Sequence, residues 1–82
     1  MLHIVVCDDE AAFARDLTRK IEALPAFSPR SMRVRCLTDP AALPAEPCDL
    51  LFLDIDLGAV NGIDVARGLR RTHPDTCLLY TS

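Results

Sequence analysis

Eighty-two residues with a formal net charge of −3 allow one domain and a modest core. Half of the residues are hydrophobic, which excludes a disordered chain, and the mild acidity argues against a nucleic-acid-binding surface in this segment. No apolar stretch reaches the roughly 18 residues of a membrane span and the N-terminus lacks the features of a secretory leader, so the expected location is cytoplasmic, away from any membrane.

Leu2 to Cys7 is a continuous apolar run and reads as a strand covered on both faces. A helix follows from about Ala11 to Leu24, with Phe13, Leu17, Ile21 and Leu24 as its inner stripe and Arg15, Asp16, Arg19, Lys20 and Glu22 on the wet side. Pro25 and Pro29 stop it. Met32 to Leu37 predicts a second strand, and Arg33 and Arg35 between its apolar residues mark it as an edge. Thr38-Asp39-Pro40 reads as a helix start with Asp39 as cap, while Pro44 and Pro47 limit that second helix to a turn or two. The third strand runs from Asp49 to Leu53 or Asp54, and Gly58-Ala59-Val60-Asn61-Gly62 reads as a loop. The last helix starts near Gly62 or Ile63 and ends about Thr72, with Ile63, Ala66, Leu69 and the stem of Arg70 inward. Cys77 to Tyr80 forms a fourth strand before Thr81-Ser82. Strands alternating with helices through short links predict a parallel α/β sheet with right-handed crossovers.

The cysteines Cys7, Cys36, Cys48 and Cys77 form no Cys-x-x-Cys pair and read as reduced, small hydrophobes. His3 and His73 stand apart from plausible ligand partners. Arg67, Arg70 and Arg71 read as a solvated helix face, because no aromatic or glycine-rich partner accompanies them.

The acids carry the chemistry. Strand 1 delivers Asp8-Asp9-Glu10, and strand 3 delivers Asp54 and then Asp56. Taken alone, Asp8 and Asp9 could simply cap the following helix. Their recurrence at the ends of two apolar strands points instead to a shared acidic pocket, since ligands of α/β sheets bind beyond the strand C-termini. Such a pocket is costly without a hard cation, and Mg²⁺ fits an oxygen-only set. A carboxylate beside it, Asp54, could attack phosphorus in line and become an acyl phosphate.

The motifs Val5-Val6-Cys7-Asp8-Asp9-Glu10, Asp49 to Asp56, Asn61-Gly62 and Leu78-Leu79-Tyr80-Thr81-Ser82, in this order, resemble the receiver domain of two-component response regulators. The resemblance covers the whole chain and implies a flavodoxin-like fold with sheet order 2-1-3-4. It implies that Asp54 is the phosphoacceptor and takes its phosphoryl group from a sensor histidine kinase. It further implies that Asp9 and Asp54 ligate Mg²⁺ directly, Asp8 through water, and Asp56 through its backbone carbonyl. Thr81 matches the hydroxyl residue that contacts the phosphoryl group, and Gly62 the turn glycine. Such a domain assists its own phosphorylation without being a turnover enzyme. The stretch from Asp54 to Arg70 is similar to receivers that precede LytTR-type DNA-binding output domains.

Two departures stand out. Gly58 occupies the position where the family often has proline. The chain is also shorter than the roughly 115–125 residues of a whole receiver, an ordinary domain size. The expectation is therefore a partial receiver domain over residues 1–82, with strand 5 and the output domain missing and with marginal stability. Two other readings remain. Phe52-Leu53-Asp54-Ile55-Asp56-Leu57 also fits the Asp-x-Asp motif of haloacid-dehalogenase-type phosphohydrolases, with Asp54 as nucleophile and Asp56 as general acid. A receiver-like interaction module that is never phosphorylated is the other.

Overall fold

A computed structural model describes residues 1–45, 48–58 and 60–81. Pro47, expected to limit the second helix, lies outside the described residues, as do Ala59 of the expected loop and Ser82.

Four parallel strands form one sheet in the order β2-β1-β3-β6, comprising β1 (Leu2–Cys7), β2 (Met32–Leu37), β3 (Leu50–Leu53) and β6 (Cys77–Tyr80). Two short strands, β4 (Asp56–Leu57) and β5 (Val60–Asn61), pair antiparallel apart from it. The helices are α1 (Ala11–Glu22) and α2 (Gly62–Thr72), and a 3₁₀ segment spans Pro40–Ala45. This is the α/β topology expected, with the fourth predicted strand becoming β6.

β1 is buried on both faces because it is central. Ile4 and Val6 face α1 and pack with Ala14 and Ile21, supported by Leu17, Phe27, Val34, Leu50 and Phe52. Val5 and Cys7 point the other way, into a cluster with Leu43, Leu51, Leu53, Leu57, Ala66 and Leu69. Each large side chain buried in these clusters contributes about 1.5–3 kcal/mol from removal of apolar surface from water. β2 is the expected edge, with Arg33 and Arg35 exposed and Met32 and Val34 partly covered. Asp39 caps the 3₁₀ segment, its Oδ1 accepting the Ala41 N–H at 2.9 Å.

Four expectations about inward faces fail. Phe13 and Leu24 are 60% and 56% exposed, and Ile63 is 40% exposed. α1 buries Ala14 and Ile21 instead, because Phe13 stands at the rim of the sheet and Leu24 lies beyond the last helical residue, Glu22. α2 buries Gly62, Ala66 and Leu69. Arg70 does not lie inward. Its Nη1 reaches back to the carbonyls of Thr76 at 2.6 Å and Pro74 at 3.3 Å, which pins the turn between α2 and β6. The expected loop at 58–62 overlaps the β4–β5 hairpin, whose pairs are Leu57 with Val60 and Asp56 with Asn61.

The N-terminal rim of the sheet is tied through Asp49. Its carboxylate accepts the His3 N–H at 2.8 Å, and its carbonyl accepts the Cys77 N–H at 2.9 Å. The opposite rim is left to the acids.

Candidate functional site

Strand register builds the site. Cys7 pairs with Leu53, and Leu53 with Tyr80, so the three strands end level. One residue further on, the backbone still holds. The Asp8 N–H donates to the Leu37 carbonyl at 3.1 Å, the Asp54 N–H to the Cys7 carbonyl at 3.1 Å, and the Thr81 N–H to the Leu53 carbonyl at 2.9 Å. Asp8, Asp54 and Thr81 therefore leave the sheet side by side.

Carboxylate oxygens of Asp8, Asp9 and Asp54 all lie within 4.8 Å of one another. Asp54 is 8% exposed, whereas Asp9 is exposed and Asp8 half-buried. Local hydrogen bonds fix the two inner acids. Asp54 Oδ1 accepts the Asp56 N–H at 3.1 Å, and Asp8 Oδ1 accepts the Glu10 N–H at 2.9 Å. The second bond holds the turn before α1 but is not a helix cap. Glu10 occupies the cap position of α1 and makes no side-chain capping bond.

Electrostatics record the crowding. The Asp8 carboxyl is pushed above its ordinary value, first by burial and then by the charges of Asp54 and Asp9, against the lowering effect of the Glu10 N–H. Beneath the acids, the buried Cys7 thiol is raised to about 11 by burial and by the surrounding aspartates, Asp8 foremost. Cys7 is fully buried in the apolar cluster with Leu51, Leu53 and Leu57, and does not line the cleft. The donor set is oxygen only, with one buried and two more accessible carboxylates. That suits a hard cation of the Mg²⁺ or Ca²⁺ kind, whose charge would offset the repulsion felt by Asp8.

The acids open into a cleft of about 480 Å³ that Thr81, Asp56 and Gly58 also line. Asp56 is exposed on β4, and Thr81 is half-buried. All five residues expected at the site thus meet at one rim. Residues that sequence reasoning missed extend the cleft along α1, namely Phe13, Leu17 and the ion pair between Lys20 Nζ and Asp16 Oδ2 at 3.0 Å. The exposure of Phe13 is explained here, since it overhangs the cleft and covers no strand.

Two glycines shape the loop after Asp54. A Cβ on Gly62 would overlap the Asp54 carbonyl oxygen and come within 2.8 Å of the Ile55 Cα, so only glycine fits. The Gly62 N–H donates to the Ile55 carbonyl at 2.7 Å, and the Asn61 side chain caps α2 by accepting the Ile63 N–H at 2.8 Å. Gly58 has φ +70° at the hairpin turn. No helix among the described residues is long and apolar enough to cross a membrane.

No protein-family model matches the chain, and no curated protein matches it. Solved structures do. A response regulator protein from Burkholderia pseudomallei, whose structure holds a phosphorylated aspartic acid, a calcium ion and citrate, is 25% identical with a TM-score of 0.76, matching 98% of this chain and 46% of its own. A CheY-like response regulator receiver domain protein from Methanospirillum hungatei JF-1 is 17% identical with a TM-score of 0.78, over 98% of this chain and 62% of its own. An adenylate cyclase from Rhodopirellula baltica is 16% identical with a TM-score of 0.78, over 98% and 58%. The chain thus spans about half the length of these proteins, and the structures that it resembles are chiefly response regulator receiver domains, whose flavodoxin-like fold it shares.

Proposed function

We propose that this chain is the phosphoacceptor part of a response regulator receiver domain and that Asp54 takes the phosphoryl group. The observation that carries the reading is the convergence of Asp8 and Asp9 on a buried Asp54 at the C-terminal rim of the sheet. An Asp54 carboxylate oxygen attacks phosphorus in line. The new bond is Oδ–P, and the bond to the donor breaks with its electron pair leaving on the donor, an imidazole when the donor is a sensor histidine kinase.

Mg²⁺ is the cation we assign; Asp9, Asp54 and the Asp56 carbonyl would hold it, and Asp8 would act through water. When bound, it supplies charge neutralisation for the transferring oxygens. The chain's own groups do the rest. The Asp56 N–H orients the Asp54 carboxylate at 3.1 Å, and the backbone bond from Thr81 to Leu53 sets Thr81 on the neighbouring strand, where it lines the cleft. Phosphorylation adds charge to Asp54, and Thr81 is the group that would respond. The partners we assign are a histidine kinase and an output domain of the LytTR DNA-binding kind, in the cytoplasm. The domain promotes its own phosphorylation and turns over no other substrate.

Incubation of the 82-residue chain with acetyl phosphate and Mg²⁺, followed by intact mass, tests this. A gain of one phosphoryl group that Asp54→Ala abolishes is expected. No gain, or a gain that survives Asp54→Ala, refutes it.

A further inference from the structure

We infer that Gly58 is a positioning residue for Asp9, and that its missing side chain is what lets the outer carboxylate of the site meet a small divalent cation. The inference rests on the reading of Asp8, Asp9 and Asp54 as a metal site.

Two separate features of Gly58 support it. The first is backbone conformation. Gly58 follows Leu57, whose pairing with Val60 closes the β4–β5 hairpin. Tight hairpin turns favour positive φ just after the first strand, and Gly58 has φ +70°. A proline, fixed near −65°, could not take this turn. The second is clearance. A Cβ on Gly58 would lie 3.3 Å from Asp9 Oδ2, tighter than ordinary contact, with no backbone atom in its way. The group that must yield is therefore the Asp9 carboxylate itself.

Asp9 is exposed, so its side chain is free to shift, and a shift away from position 58 alters the spacing of its carboxylate from those of Asp8 and Asp54, now within 4.8 Å. The cost falls on ligand geometry more than on the fold. Mg²⁺ demands near-ideal octahedral distances of about 2.0–2.1 Å, whereas Ca²⁺ accepts a looser shell at about 2.3–2.6 Å. A methyl group at position 58 should thus penalise Mg²⁺ more than Ca²⁺. The other glycines lack this relation. Gly62 is held by backbone overlap, and a Cβ on Gly68 meets open space.

The test is divalent-ion affinity of the full chain, read from loss of the free Mn²⁺ paramagnetic-resonance signal with Mg²⁺ and Ca²⁺ as competitors. Gly58→Ala should weaken Mg²⁺ about tenfold, the low end for loss of a group that orients a ligand, and Ca²⁺ by less. Gly58→Asn, which tolerates the left-handed region, carries the same Cβ and should behave alike if Gly58→Ala folds poorly. Gly58→D-Ala, made by chemical synthesis, relaxes the positive φ and puts its methyl on the other side of Cα, so it should bind as the parent does. Gly68→Ala should also bind as the parent does. Unchanged Mg²⁺ affinity in both L-variants overturns the inference, as does an equal loss for both ions or an equal loss in Gly58→D-Ala. A parent chain that binds neither ion overturns the metal-site reading itself, and this inference with it.

Discussion

The Asp54 backbone N–H donates to the carbonyl of Cys7 at 3.1 Å, one residue past the last paired position of β3. This bond continues the β1–β3 ladder into the site and sets Asp54 beside Asp8. Because side chains alternate with period two, a one-residue slip between the strands would turn Leu53 out of the core and Asp54 into it. Core packing therefore sets the site's geometry.

Core and cleft residues should separate sharply on mutation. Leu53→Ala removes a fully buried side chain and should cost about 2–5 kcal/mol. Phe13→Ser, at an exposed position over the cleft, should fall within about 0.5 kcal/mol of the parent. Urea unfolding checks both, and a large loss for Phe13→Ser would return that ring to the core.

That contrast shows what the sequence could and could not reveal. β1, β2, β3 and β6 were legible because each is an apolar or alternating run of the right length. The convergence of Asp8, Asp9 and Asp54 was legible once the sheet was taken as parallel with β1 beside β3. Helix faces were less so. Apolar periodicity placed Ile21, Ala66 and Leu69 inward, where they are buried, but also Phe13 and Ile63, which are exposed, and it passed over Ala14, which is buried. The β4–β5 hairpin was invisible, since two-residue strands have no period to detect. The approach of Gly58 to Asp9 depends on that hairpin and was hidden with it.

Cys7 should make the fold alkali-sensitive. Its folded value is raised from 9.0 to about 11, so above pH 9 the unfolded thiol loses its proton while the folded one keeps it. Stability therefore falls as pH rises from 9 towards 11, by up to about 1.4 kcal/mol per pH unit. Unfolding curves at successive alkaline pH values should show this slope in the parent and a flatter one in Cys7→Ala. Equal slopes contradict it.

Asp8 makes the opposite end of the pH scale informative. Its folded value is raised, first by burial, so without a cation the folded state loses stability as pH climbs from the unfolded carboxylate value. Asp8→Asn should therefore stabilise the metal-free chain at about pH 7. Mg²⁺ at ten times its dissociation constant should stabilise the parent by about 1.4 kcal/mol, and this gain should shrink on acidification. Thermal melts with and without Mg²⁺ measure both effects. A metal-free Asp8→Asn that melts lower than the parent contradicts the account.

Gly62→Ala should be among the most damaging small substitutions, because the methyl group meets the backbone of Asp54 and Ile55. A loss of about 3 kcal/mol is expected from such overpacking. Gly68→Ala, with open space at its Cβ, should instead stabilise α2 by about 0.5–1 kcal/mol. Similar effects from the two would contradict the packing described.

The central claim, that Asp54 and no other acid of the cleft is the acceptor, is tested most directly by trapping. Borohydride reduces an aspartyl phosphate to homoserine, and peptide mass mapping locates it. After treatment with acetyl phosphate and Mg²⁺, homoserine is predicted at position 54, in the parent and equally in Asp56→Asn. Homoserine at position 8, 9 or 56, or phosphate turnover that collapses in Asp56→Asn as a phosphohydrolase requires, would contradict the account.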